Sequence, residues 1–204
     1  FIWLMVEPEQ DVFDWSLYDR IVRDANARGL KIYATIAATP AWATAGEPAV
    51  GVPRHVDDWW DICYRAAARY RGQVAAWGMW NEPNLRQFWA GTRWEYQNVI
   101  LRPGARAVHS ADSTALVGGP ELAHLSSADW DLWLQSCLGV AADDLDIATH
   151  HVYPSGVSAS DVTDKLEAGG DYPWDPPSVR EVIQDAGWWG RPFWLSETGA
   201  ESAE

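Results

Sequence analysis

The sequence predicts an α/β fold, an incomplete (β/α)8 barrel, and three observations carry that prediction. Short β-branched or aromatic runs alternate with longer stretches of helical period, the pattern of parallel strands joined by crossover helices. Polar residues gather just after the apolar runs, as they do at the C-terminal rim of a barrel. The sequence carries no glycine-rich phosphate loop, the usual mark of an open, doubly wound sheet.

The elements follow in order. Asp14, Trp15 and Ser16 open a helix whose apolar Leu17, Ile21 and Ala25 recur every four residues, and Gly29 closes it. A strand from Lys31 to Ala37 follows, then a loop rich in Pro, Gly and Ala from Thr39 to Pro53. The next helix sets Val56, Trp59, Trp60, Cys63 and Ala67 on one face and stops at Gly72. Val74 to Met79 reads as a strand, and Arg93 to Ser110 as a helical stretch that Pro103 kinks or breaks. Ala115 to Val117 is a brief strand before Gly118, Gly119 and Pro120. A helix near Asp129 to Leu138 leads to a strand from Leu145 to Thr149. The segment from Pro154 to Pro177 reads as a long functional or mobile loop. Val179 to Ala186 is helical and Phe193 to Ser196 is the last strand. No linker or repeat divides the series, so residues 1–204 are expected to form one partial barrel domain.

Composition excludes several partners. With 29 acidic against 15 basic side chains the formal charge is −14, which repels phosphate backbones and anionic lipid heads, so no nucleic-acid or membrane partner is expected. No apolar run approaches the ~18 residues of a membrane span. The 15 tryptophans either thicken the core or, in a groove, stack on the C–H faces of sugar rings. Cys63 and Cys137 sit in no Cys-x-x-Cys or zinc spacing, so two free, partly buried thiols are expected. The chain starts at Phe1 rather than Met, and extracellular and cytoplasmic locations both remain open, as does the oligomeric state.

The strand ends collect Thr39, Pro40 and Trp42; Asn81 and Glu82; Gly118 to Glu121; His150, His151 and Tyr153; and Glu197. Strands of a barrel aim their C-terminal loops at a common axis, so these groups converge. Two carboxylates across a cleft suit glycoside cleavage, one protonating the leaving oxygen and the other attacking the anomeric carbon or activating water. The two roles need different environments, for which Trp80 and Asn81 beside Glu82, and the Tyr153 hydroxyl near Glu197, are the candidates.

These residues carry a resemblance. Trp80-Asn81-Glu82-Pro83-Asn84 resembles the acid/base motif that ends strand four in clan A glycoside hydrolases, and Trp194-Leu195-Ser196-Glu197-Thr198-Gly199 resembles the nucleophile motif of strand seven. His151-Val152-Tyr153 is similar to the strand-six signature. The opening, Trp3 to Pro8 with Phe13-Asp14-Trp15 and Tyr18-Asp19, is similar to the segment leaving strand two, and Thr39-Pro40-Ala41-Trp42 to the end of strand three. The nearest resemblance is to family thirty-nine, of the β-xylosidase and α-L-iduronidase kind, and to cellulase-like barrels.

The resemblance implies a TIM barrel and a retaining hydrolase of plant or microbial oligo- or polysaccharides, with no cofactor. Glu82 is then the acid/base and Glu197 the nucleophile of a double displacement. Asn81 bonds the sugar 2-hydroxyl, His151 lines the glycone pocket, Tyr153 hydrogen-bonds the nucleophile, and Trp42 is a subsite platform or a packing residue, as is Trp174. Counted against eight strands, the chain supplies strands three to seven and the tail of strand two. Strands one and eight are read as missing, and the isolated, unclosed polypeptide is expected to be inactive.

Other residues have simpler readings. Glu7 is expected to pair with a basic side chain under the rim, Glu121 to be a rim carboxylate or a substrate contact, and His150 to be structural. Asp57-Asp58 and Asp143-Asp144 read as solvated charge pairs. A non-catalytic sugar-binding barrel is the alternative function. A metal-dependent hydrolase using His150, His151, Glu82 and Glu197 fits poorly, because adjacent strand histidines point to opposite faces; no metal is expected.

Overall fold

The computed structural model describes residues 1–123, 129–153, 162–163, 166–167 and 177–199. The loop expected from Pro154 to Pro177, with Trp174 in it, lies largely outside them. A short helix α1 (Trp3–Val6) and a longer α2 (Ser16–Asn26) precede strand β1 (Tyr33–Ile36). Then α3 (Val56–Arg69) leads to β2 (Ala76–Met79), and α4 (Arg93–Glu95) with α5 (Arg102–Ala111) leads to β3 (Leu116–Leu122). Helix α6 (Trp130–Val140) joins β3 to β4 (Ile147–Val152), and α7 (Val179–Asp185) precedes β5 (Phe193–Thr198).

All four strand pairings are parallel and the strands lie in chain order, β1-β2-β3-β4-β5. A doubly wound sheet reverses its order at a switch point, and this one does not. The sheet also curls. In a flat sheet β1 and β5 would be about 19 Å apart, four spacings of ~4.8 Å. Yet the rings of Tyr33 on β1 and Trp194 on β5 meet with centroids 5.9 Å apart. The fold is therefore an incomplete (β/α)8 barrel. Ile2 forms a parallel bridge to Ala37, with Ala37 N–H donating to Phe1 O at 3.1 Å, so the first two residues lie beside β1 as the tail of a preceding strand would.

Several expected details change. On α2 the buried residue is Val22, while Ile21 is 48% exposed. Tyr18 stacks on Phe1 at 4.3 Å and accepts from Ile2 N–H, which turns the helix one residue away from the Leu17–Ile21 stripe. On α3, Ile62 and Ala66 join Trp59, Cys63 and Ala67 inside, and Val56 is exposed. Pro103 marks a break in helix type, as expected: a π segment (Tyr96–Leu101) joins α4 to α5, and Pro103 falls in the first turn of α5, where proline is tolerated.

Strand β3 runs straight through Gly118, Gly119 and Pro120 rather than stopping before them. A Cβ at Gly118 would fall 2.6 Å from Tyr33 Oη, so the glycine makes room for a tyrosine reaching across the barrel. The pairing of β3 with β4 shifts register between Gly119 and Leu122, where Pro120 has no N–H for the ladder.

Trp3, Trp59, Trp77, Trp80, Trp89, Trp130 and Trp188 are all buried, so the tryptophan excess is chiefly a packing feature. Cys63 and Cys137 are free and fully buried rather than partly so, and burial pushes the Cys137 thiol up to about 12. In the first turn of α3 Asp57 is exposed and Asp58 half-buried, a place where acidic groups suit the helix dipole. Asp144 is not solvated as expected. It is buried and accepts from Arg106 at 2.8 Å and Arg102 at 3.1 Å, because a carboxylate beneath α5 needs that charge.

Candidate active site

The site is assembled where β2 to β4 end and along the last residues of β5. After β2 the chain takes two left-handed residues, Trp80 (φ +74°) and Glu82 (φ +45°), and Glu121 on β3 is a third (φ +56°). Non-glycine residues enter this region at a cost of about 1–3 kcal/mol, and such strain clusters at functional sites. The first reversal sends the Trp80 indole into the core, where its N–H donates to Phe88 O and its ring meets Trp59 and Trp89 edge-on. The expectation that Trp80 tunes Glu82 is thus corrected: the indole is spent on packing. The second reversal brings Glu82 to the rim, pinned by its own N–H donating to Glu121 O at 2.9 Å.

Three strands supply the neighbours of Glu82. From β4, His151 Nδ1 lies 3.0 Å from Glu82 Oε1, and its Nε2 lies 3.0 Å from Glu121 Oε2. From β5, Glu197 Oε2 lies 3.6 Å from the same Nδ1. Tyr153 Oη donates to Glu197 Oε2 at 3.0 Å, as its place in the sequence suggested. Oxygens of Glu82 and Glu197 lie within 4.8 Å of one another. Two residues far apart in sequence therefore share one small gap.

Exposure separates their parts. The Glu197 side chain is 44% exposed and that of Glu82 12%, while His151 is buried beneath both at 1%. Burial opposes a charge on His151. The bonds to Glu121 and Glu82 and the charges of Glu121 and Glu197 outweigh it and hold its pKa above the ordinary imidazole value. Partial desolvation, then the Glu197 hydrogen bond and charge, raise the Tyr153 phenol, so it stays a donor.

The remaining candidates fall around this centre. Asn81, between Trp80 and Glu82, is half-buried. Trp42 donates from its indole to Glu7 O and stands edge-on to Trp3, contacts that place it on packing partners at the β1 rim. Among the described residues Glu7 does not meet the cation expected for it. Its buried carboxylate accepts from Trp3 Nε1 at 2.8 Å and Asp11 N–H at 2.9 Å, and burial, only partly offset by those bonds, raises its pKa.

His150 and His151 do point to opposite faces: His150 Nδ1 sits 2.9 Å from Leu122 O and its ring packs on Trp130. Glu121 is neither exposed nor at the open rim. It is 1% exposed, held by His151 and by Ser196 Oγ at 2.8 Å. Sequence reasoning missed that role and Ser196 altogether. The only signal was Glu121's place two residues beyond a strand-interior glycine pair.

Among the described residues, Glu82, His151 and Glu197 are also the acidic and imidazole groups close enough together to invite a cation. Both nitrogens of His151 already face carboxylates at 3.0 Å, so a metal there would have to break the contact that orders Glu82. The donor set fits hydrogen-bonded acid chemistry better than coordination.

Comparison with known proteins agrees with this fold. A family model described as β-galactosidase, glycoside hydrolase family 42, matches residues 1–55. A β-xylosidase of Caldicellulosiruptor saccharolyticus is 30% identical over 127 residues, covering 57% of this chain and 25% of that protein. One of Geobacillus stearothermophilus is 25% identical over 160 residues, covering 70% and 31%. The solved structure of a GH39 β-xylosidase from Caulobacter crescentus superposes with a TM-score of 0.73 at 23% identity, over the whole of this chain and 46% of that one. The chain resembles a clan A glycoside hydrolase of the family 39 kind. It spans about a quarter to a third of the length of the curated relatives it matches.

Proposed function

We propose that the protein is a retaining O-glycoside hydrolase, with Glu82 as acid/base and Glu197 as nucleophile. The observation that carries this reading is the approach of the two carboxylates to within 4.8 Å. Retaining enzymes hold their carboxyl groups about 5–5.5 Å apart, whereas inverting ones need about 6.5–9.5 Å to admit a water.

In the first step a Glu197 oxygen bonds to the anomeric carbon as the glycosidic C–O bond breaks, and Glu82 gives its proton to the departing oxygen. In the second, water attacks the anomeric carbon, its proton passes to Glu82, and the Glu197 ester bond breaks. The Tyr153 hydrogen bond holds Glu197 in its attacking pose. Asn81, beside Glu82, is assigned to bond the sugar 2-hydroxyl, a contact that strengthens in the transition state and so lowers the barrier. The β-xylosidase relatives make β-xylosides the first substrates to try.

The test is to react the intact protein with a 2-fluoro-β-xyloside bearing an activated leaving group, and to map the adduct by peptide mass spectrometry. The expected mass increment is on Glu197. Label on another residue, or tight sugar binding with no turnover and no adduct, would overturn the assignment.

A further inference from the structure

We propose that Glu121 is a positioning residue for the reaction above: its carboxylate accepts a hydrogen bond from the Nε2–H of His151, fixing the ring so that Nδ1 addresses Glu82. The proposal rests on the glycosidase reading for its consequence, and on the contacts of Glu121 for its content.

The contacts make Glu121 a junction of four strand ends. Its backbone oxygen accepts from Glu82 N–H, its N–H donates to Thr149 Oγ1, and its Oε2 receives His151 Nε2 and Ser196 Oγ. A carboxylate 1% exposed is costly to ionise without a counter-charge. Among the described residues no arginine or lysine forms an ion pair with it, and His151 is its one basic partner. Its left-handed backbone, φ +56°, is a strain retained at the same point. Space is reserved for it too, since a Cβ at Gly78 would fall 2.7 Å from Glu121 Oε1.

The chemistry follows from the two ring nitrogens. With Nε2–H given to Glu121, the remaining exchangeable position, Nδ1, lies 3.0 Å from Glu82 Oε1. One proton then has two homes, on Nδ1 beside ionised Glu82 or on Glu82 beside neutral His151, and moving between them changes no net charge. Without the Glu121 acceptor the ring could turn its single N–H toward Glu82 and leave no acceptor for the acid's proton. The groups facing His151 are Glu82 after β2, Glu121 on β3, Glu197 on β5, and on its own strand Tyr153 through Glu197. Its raised pKa agrees with this arrangement.

The experiment is NMR titration of ¹⁵N-histidine-labelled protein, with the His151 signal assigned from its loss in His151→Asn, alongside the pH profile of kcat/KM. In the wild type, His151 should carry Nε2–H when neutral and titrate above ~6.5. In Glu121→Gln, which keeps shape and removes charge, the His151 pKa and the alkaline limb of kcat/KM should both fall by about one unit. Ser196→Ala removes the competing donor on Oε2 and should move the His151 pKa up. Wild-type His151 titrating at or below the ordinary value overturns the proposal even if Glu121→Gln does not fold, as does a Glu121→Gln variant with an unmoved titration. The NMR readings need no turnover, so a protein lacking glycosidase activity would fail the functional reading while still testing this one.

Discussion

Tyr153 gives its hydroxyl to Glu197 Oε2 at 3.0 Å, and its ring lies so close to Gly199 that a Cβ there would sit 3.3 Å from Tyr153 Cε1. The glycine two residues beyond Glu197 thus leaves room for the ring whose hydroxyl serves the carboxylate. In the proposed mechanism this bond keeps Glu197 aimed at the anomeric carbon.

Tyr153→Phe removes that bond and leaves the ring packing. A hydrogen bond to a charged group contributes about 1.5–3 kcal/mol, so kcat/KM for an aryl β-xyloside should fall roughly 10- to 150-fold. Thermal stability should change little, because the side chain is 48% exposed. A variant with wild-type kcat/KM would remove Tyr153 from the mechanism.

Glu82→Ala should separate acid from base work. Substrates with poor leaving groups need the proton and should slow by about 10²–10⁴-fold, a range typical of general acid catalysis. Substrates with an activated phenol leave without it, so their first step should survive and the glycosyl-enzyme should accumulate. Added azide, which needs no base, should then restore turnover. Equal loss on both substrate classes, measured by steady-state and burst kinetics, would contradict the acid/base role.

Much of this arrangement was legible in the sequence, for identifiable reasons. Strand order follows from alternating periods, and the rim from polar residues just past apolar runs, so Glu82, Glu197 and Tyr153 could be placed together in advance. Helix faces were less legible: Val22 rather than Ile21 is buried because Tyr18 stacks on Phe1, a long-range contact that no local period encodes. The partners of buried charges were hidden for the same reason. Asp144 looks like any solvated acid until Arg102 and Arg106 are folded against it. Glu121 reads as a rim carboxylate until β4 brings His151 beneath it. Gly118 reads as lying beyond the end of a brief strand because Tyr33, the residue that needs its space, comes from another strand.

The raised pKa of His151 links folding to pH, and the sign can be worked out. A base whose folded pKa exceeds its unfolded value of about 6.5 favours folding most when the unfolded chain is also protonated, below that value. The contribution declines as pH rises through the higher folded pKa. Wild-type urea midpoints measured upward from about pH 6 should therefore carry a falling component. In His151→Asn that component should disappear. An identical slope in wild type and variant would show that His151 does not gain a proton on folding.

Gly78 and Gly118 offer a contrast between crowding Glu121 and crowding the barrel generally. A Cβ at Gly78 would sit 2.7 Å from both Glu121 Oε1 and Thr35 Oγ1 and 2.8 Å from Tyr33 Oη, whereas at Gly118 it would meet Tyr33 Oη at 2.6 Å and Thr149 Cγ2 at 3.0 Å. Both alanine variants overpack the interior and should lose about 1–3 kcal/mol of stability, read from denaturant midpoints. Only Gly78→Ala pushes directly on the carboxylate that orients His151. It should therefore also displace the alkaline limb of the kcat/KM profile, while Gly118→Ala leaves that limb in place. If the two variants shift the profile equally, strain spread through the barrel explains the effect, and the contact between Gly78 and Glu121 loses its special standing.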